Sequence, residues 1–318
     1  MDCFILVKLL IKLLIFKPYN IFILDYLFSF AEQQNERVLV IIGNGFDLAS
    51  KIDSGYHHFK RWLEQNNRHR LIGLMDTFFS NQRDVWGDIE KALGEYDEDS
   101  ILEYCKPDEN FDYDHPTCSM AAIEDSPDWI FEPMLDEFIE AFNDWVNNIN
   151  ITNAEKICEL PIGGKFLTFN YTETLEKQYG IPESDILHIH GSRLSNKKYI
   201  IGHDNLRNPY DAYNDESQMP FIQDTWCKII DWMNRLVKDS ASIIRKNQDF
   251  FNSLSNIEQV IVYGHSFYEV DWPYMEEVVK QIGSDKPWAI SYHKPKDLTQ
   301  IDSFIQKVGL KNPKKFVW

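Results

Sequence analysis

Short aliphatic runs, each ending abruptly in glycine or polar residues, alternate along this chain with longer stretches of helical spacing. Val38–Ile42 runs into Gly43-Asn44-Gly45-Phe46-Asp47, residues 166–169 into Asn170-Tyr171-Thr172, and residues 186–189 into His190-Gly191. Residues 199–201 run into Gly202-His203-Asp204, and residues 260–263 into Gly264-His265-Ser266. A run that is apolar at every position suits a strand buried on both faces, and residues 288–292 and 315–317 complete the set. Between them, residues 56–65 place Tyr56, Phe59, Trp62 and Leu63 on one helical face. Residues 71–79, 86–93, 129–149 and 219–251 read as helices too, and Asp271-Trp272-Pro273 predicts a helix capped by Asp271 and running to Gly283. Strands alternating with helices predict an α/β fold, a Rossmann-like and mostly parallel sheet whose loops gather on one edge.

The pattern proper starts at Val38. Residues 1–37 read as an apolar extension outside the fold, broken by Lys8, Lys12, Lys17 and Asp25 before any stretch reaches the length of a membrane span. Residues 38–318 are then one domain with an acidic helical insertion at about 84–150 and a helical cover at about 210–255. Between Asp84 and Asp144 there are 20 acidic and 2 basic residues, which account for the whole formal charge of −18. No basic stripe is left to neutralise phosphates, so direct nucleic-acid binding is not expected. Within that window, residues 97–128 carry Pro107, Pro116 and Pro127 and read as a solvated loop or lid. The cysteines at 3, 105, 118, 158 and 227 are odd in number without a C-x-x-C pair, as expected for reduced thiols in the cytoplasm rather than disulfides or zinc ligands. Peripheral membrane contact through residues 1–30 is the alternative to a purely cytoplasmic location.

Chemistry-bearing residues collect where strands end. In open α/β sheets ligands bind outside the carboxyl ends of the strands, so Asn170 and His190 are expected to face one crevice, the amide orienting a substrate and the imidazole moving a proton. Purely structural roles compete: Asn170 as the cap of a helix starting near Glu173, and His190 as a satisfied histidine beside a turn glycine. His188, two residues earlier on the same strand, is expected to point the same way and to be the rival base. Gly43 and Gly45 let a backbone turn sharply and approach a ligand, so that amides can cradle phosphate; the alternative is a tight turn in which Asp47 bonds the backbone. Leu48 stands where the dinucleotide fingerprint needs its third glycine, which disfavours a conventional dehydrogenase. His57, His58 and His69 read as surface or packing residues rather than metal ligands, and no metal is expected.

Taken together, Gly43-Asn44-Gly45-Phe46-Asp47-Leu48 with Tyr56 and Phe59, then Phe169-Asn170-Tyr171-Thr172-Glu173-Thr174-Leu175-Glu176, Ile189-His190-Gly191-Ser192, and Tyr263-Gly264-His265-Ser266 with Asp271 closely resemble the bacteriophage abortive-infection AbiH family. The resemblance runs from about Val38 to Tyr292. The same order is more distantly similar to sirtuin-like NAD-binding domains. That similarity implies NAD, or a related nucleotide, as ligand or substrate: Gly43 and Gly45 along the pyrophosphate, Asn170 orienting the nicotinamide ribose, His190 as general base, and Gly264 and Ser266 at the adenosine half, with Asn44, Asp47, Tyr171 and His265 among the binding residues although Asn44 and Asp47 replace the small and hydroxyl residues usual in the sirtuin turn. Thr172 departs from the Asp that often follows the Asn there. The cysteine pairs of the deacetylases are absent, which leaves cleavage of NAD itself. The implied function is phage defence by NAD hydrolysis. The alternative is a nucleotide sensor or interaction protein answering a phage-derived trigger through a partner, with homo-oligomer formation left open.

Overall fold

The computed structural model describes residues 37–79, 84–105, 116–195, 198–214 and 220–318. The expected extension at 1–36 and the centre of the acidic window at 106–115 lie outside the described residues.

Six strands form one all-parallel sheet: β1 (Val38–Ile42), β2 (Lys165–Thr168), β3 (Ile186–His188), β4 (Gln259–Tyr263), β5 (Pro287–Tyr292) and β6 (Asn312–Val317), in the order β3-β2-β1-β4-β5-β6. That is the doubly wound Rossmann order, which reverses between β1 and β4 and leaves a crevice at the reversal. Register keeps the carboxyl ends level. Ile42 stands opposite Thr168 on one side and Tyr263 on the other, and Thr168 stands opposite His188. The turns after β1, β2, β3 and β4 therefore open on one edge.

Alternation along the buried strands divides the core. Leu39, Ile41, Val260, Val262 and Ile290 face helices α10 (Trp272–Ile282) and α11 (Asp297–Val308), while Val40, Ile42, Phe166 and Ile261 face Phe46, Leu175 and Ile181 on the opposite side. A third core lies beside the sheet. It joins α2 (Tyr56–Gln65), α3 (His69–Phe78), α4 (Ile89–Gly94) and α5 (Glu98–Cys105) to the long helix α6 (Pro116–Asn148) and to α7 (Pro220–Asn234). Three short helices complete the set: α1 (Asn44–Ala49) after β1, and α8 (Ser240–Lys246) and α9 (Gln248–Asn252) after α7. The insertion and the cover thus share one core, fastened by Trp232 Nε1 donating to Asp128 at 2.7 Å and Lys228 to Asp125 at 2.8 Å.

Three expectations need correction. The solvated loop at 97–128 is largely helix, because α5 and the first part of α6 fall there. Pro127 and Pro133 lie inside α6, each costing about 3 kcal/mol in a helix interior. Phe131, Met134, Leu135, Phe138, Phe142 and Trp145 are all buried along it, at roughly 1.5–3 kcal/mol each, so packing outweighs the prolines. Residues 199–201 are not a sheet strand; Ile200 N donates to His190 O at 2.9 Å, and an isolated bridge follows between His203 and Val237. The helix expected near Glu173 is a single wide turn at Leu175–Tyr179, closed by Gly180 at φ +70°.

Candidate active site

A cavity of about 690 Å³ opens at the carboxyl edge, and residues after every strand of the sheet reach it. All ten residues expected at the site line it: Gly43, Asn44, Gly45, Asp47, Asn170, Tyr171, His190, Gly264, His265 and Ser266.

The first and fourth turns are locked together. Gly43 N donates to Tyr263 O and Gly45 N to Gly264 O, both at 2.9 Å, while Phe46 N donates back to Gly43 O at 3.0 Å. A Cβ on Gly43 would stand 2.5 Å from His265 Cα, and one on Gly264 2.3 Å from Phe46 N. These glycines are required by the meeting of two backbones. With those three amides engaged, ligand contact at this turn falls to its Cα edge and to Asn44 and Asp47. Asn44 Oδ1 accepts from Ser54 Oγ at 2.6 Å, holding the following loop. Asp47 does not bond the backbone as the structural alternative required: Oδ2 accepts from Thr172 Oγ1, and the fully buried Oδ1 has no hydrogen-bond partner. Burial raises this carboxyl, against the hydroxyls of Thr172 and Thr174.

Asn170 is not a helix cap. Its side chain is 6% exposed as a residue, lines the cavity, and presents an Oδ1 without a partner. An orphaned buried acceptor costs about 1–3 kcal/mol, which a ligand donor would recover. Tyr171 contributes a wall rather than a hydroxyl, since its OH donates to Ile200 O at 2.9 Å.

The two candidate histidines separate. His188 is fixed between Asn170 O and the Glu176 carboxylate, at 2.9 Å from each, and does not line the cavity. The chain turns after β3, so His190 no longer shares its direction. It lies edge-on to Phe169 and Tyr274, with Nε2 3.4 Å from Lys238 Nζ and 3.5 Å from Asp271 Oδ1. Burial and Lys238 lower His190 to about 3, so the ring is neutral throughout the physiological range.

Asp271 is the second correction at the site. It sits at the start of α10 yet makes no capping bond; its carboxylate turns to Lys238 Nζ at 3.8 Å and His265 Nε2 at 3.4 Å. His265 Nδ1 accepts from Phe267 N at 2.9 Å, which fixes the tautomer with hydrogen on Nε2. Burial acts to raise Asp271, but Lys238 and the hydrogen bond from His265 overcome it and hold the carboxyl below its usual range.

Sequence reading missed Glu90 and Lys238. Glu90 comes from α4 in the insertion and Lys238 from the segment after α7 in the cover, and Glu90 Oε1 meets Lys238 Nζ at 2.6 Å. The turn at Gly202-His203-Asp204, expected to line the crevice, instead positions this pair. His203 N donates to Leu236 O at 3.1 Å and Lys238 N to His203 O at 2.8 Å, a bridge that a Cβ on Gly202 would block 1.9 Å from Leu236 O. Asn205 Nδ2 then donates to Gly94 O at 2.7 Å, which ties α4 to the same bridge. One signal was available: Gly202 and His203 mark a close backbone approach, though not to what.

Burial, opposed by Lys238 and reinforced by Asp271, raises Glu90 to about 7. The folded chain then keeps a proton that an ordinary Glu loses near 4.5, so stability falls as pH rises from 4.5 to about 7. His190 acts oppositely: the unfolded ring takes a proton below 6.5 and the folded one only near 3, so stability is lost as pH falls through that interval. Glu90→Gln is expected to abolish the first slope only. Relative to wild type it should gain about 3 kcal/mol between pH 4.5 and 8, read from urea midpoints. A difference that stays constant across that range would show that Glu90 does not titrate there.

The family model described as "Bacteriophage abortive infection AbiH" matches residues 39–292. The chain belongs to the AbiH family. The match runs from β1 to β5 and takes in the insertion, the cover and the Glu90–Lys238–Asp271 cluster, so the cavity is built almost entirely from AbiH sequence. No curated protein and no solved structure matches the chain. Among the described residues, no helix is long and apolar enough to cross a membrane, and no cluster of three or more candidate metal ligands is found. The role that accompanies AbiH membership is abortive infection of bacteriophage.

Proposed function

We propose that this AbiH chain protects a bacterial population from phage by binding NAD, or a closely related nucleotide, in the carboxyl-edge cavity and hydrolysing its N-glycosyl bond. The observation that carries the reading is the orphaned, buried Asn170 Oδ1, which lines the same carboxyl-edge cavity as neutral His190 in a Rossmann-ordered sheet. That position is where such sheets hold nucleotides, and about 690 Å³ falls in the usual range of ligand pockets.

The reaction needs little from the protein. The bond between ribose C1′ and the nicotinamide nitrogen breaks with its electron pair going to the nitrogen, and the cationic ring leaves as neutral nicotinamide. Water adds to the oxocarbenium-like C1′ and gives up one proton. Asn170 Oδ1 would accept from a ribose hydroxyl and fix the sugar. His190, whose Nε2 already accepts from Lys238, would position the water or a hydroxyl through its remaining N–H. Its lowered basicity leaves the proton itself to Glu90, whose value near 7 matches the working pH. Acidic side chains around the sugar stabilise positive charge as it develops.

The test is nicotinamide release from NAD by the purified full chain, paired with NAD content in phage-infected cells. Wild type should consume NAD, and Asn170→Ala and His190→Ala should each lower turnover by about 100-fold or more while their thermal midpoints stay within a few degrees. Bound but uncleaved NAD, with cellular NAD steady through infection, would replace the hydrolase with a nucleotide sensor.

A further inference from the structure

The buried cluster at the cavity floor is one positive charge short. Two carboxylates, Glu90 and Asp271, share a single cation, Lys238, whose side chain is 1% exposed. Neither neighbouring imidazole supplies the difference. His265 turns Nδ1 to the Phe267 amide as an acceptor, and His190 is kept neutral by burial and by the ammonium 3.4 Å from Nε2. Among the described residues, Tyr56, Tyr171, Tyr274 and Asp88 act on the same cluster and none brings a positive charge. Tyr56 from α2, Tyr171 from the turn after β2 and Tyr274 from α10 are all held protonated by burial, and Asp88, which caps α4, adds a further carboxylate whose Oδ2 has no partner. Excess negative charge in such surroundings demands either a proton or a cation.

An acidic cluster alone does not make a site, but here a second feature points into the same space. Asn170 Oδ1, buried and without a partner, lines the cavity with Glu90, Asp88 and Asp271. A ligand placed there meets a hydrogen-bond acceptor and an unbalanced carboxylate together. Its reacting end must carry donor hydroxyls and a positive charge.

We infer that Glu90, Lys238 and Asp271 form a subsite that exchanges one proton for the positive charge of the ligand, so that the cavity selects a cationic, pyridinium-type N-ribosyl nucleotide over its uncharged counterpart. The inference rests on the nucleotide reading above and deepens it. When the ligand's ring enters, the Glu90 O–H bond breaks and the proton leaves to solvent; the carboxylate then faces the ring, and Lys238 stays between Glu90 and Asp271. The cluster behaves as a charge filter, and no bond of the ligand is broken in this step. The value near 7 at Glu90 agrees with a proton that is readily given up.

The experiment uses the full chain and two probes that cannot be hydrolysed: carba-NAD+, in which a methylene replaces the ribose ring oxygen on the nicotinamide side, and its reduced dihydro form, which has lost only the charge. Calorimetric titration in buffers of different ionisation heat should show about one proton released per carba-NAD+ bound at pH 6 and almost none at pH 8. Affinity for carba-NAD+ should rise about tenfold between these pH values, while affinity for the dihydro form stays level. Glu90→Gln should flatten the rise. If that variant does not fold, proton release by the wild type decides alone. Equal affinities with equal pH dependence would overturn the charge filter and leave nucleotide binding intact. Failure of both probes to bind at any pH would overturn the nucleotide reading and this subsite with it.

Discussion

Lys238→Met is expected to destabilise the chain by about 3–5 kcal/mol, the cost of removing one partner from a buried ion pair. Lys238 Nζ stands 2.6 Å from Glu90 and 3.8 Å from Asp271, and no other Lys or Arg is paired with either carboxylate among the described residues. Methionine fills similar volume, so the loss reports charge rather than packing. Glu90 can neutralise itself by taking a proton, but Asp271 lies between two imidazoles and has its low value largely from Lys238. Urea unfolding followed by tryptophan fluorescence should show a lower midpoint with an unchanged slope. Adding Glu90→Gln should recover part of the loss, because one unbalanced carboxylate then disappears. A loss below about 1 kcal/mol would mean that the cluster is wet and screened, and would remove the basis for a charge-short site.

Gly264→Ala is expected to cost at least about 4 kcal/mol, in the range reserved for backbone strain and forced overlap. Two penalties combine. The residue sits at φ +62°, and its Cβ would meet Phe46 N at 2.3 Å and Gly45 C at 2.6 Å, both main-chain atoms that cannot step aside. Gly180 separates the penalties, since it has φ +70° with nothing within 4 Å of its Cβ position. Gly180→Ala should therefore cost only the conformational part, about 1–2 kcal/mol. Chemical denaturation of both variants gives the comparison. Similar small losses at the two positions would show that the β1 and β4 turns yield easily, and the locked edge described above would be wrong.

Much of the fold was legible because strands buried on both faces leave an unmistakable record. Val38–Ile42 and the run ending at Tyr263 are apolar at every position, and their level register makes the residues just beyond them neighbours. That is why Asn170, His190 and the glycines of both turns reach one cavity. Two kinds of information were hidden. Local signals misled where packing overrides them: prolines suggested a loop where α6 runs, and Asp271-Trp272-Pro273 suggested a cap where the carboxylate faces a lysine. The other kind is long-range charge pairing. Nothing near Glu90 announces Lys238, which lies far along the chain between α7 and α8, and nothing in Gly202-His203 says that its backbone will hold that lysine in place. His188 and His190 illustrate the difference: spacing made them equivalent, and one turn at the strand end made one structural and the other part of the cavity.

The bridge between residues 202–205 and 236–238, with its tie to Gly94, also governs timing. A growing chain leaves the ribosome amino terminus first, so β1 and α4 emerge long before the lysine that Glu90 awaits and the aspartate that begins α10. The cavity floor cannot exist until the chain has been synthesised past Asp271, and β5 and β6 must then close the sheet beside it. A chain cut within the cover carries the Gly43–Gly45 turn and His190 without the charge cluster. The charge cluster therefore assembles only after residue 271 of 318 has been added.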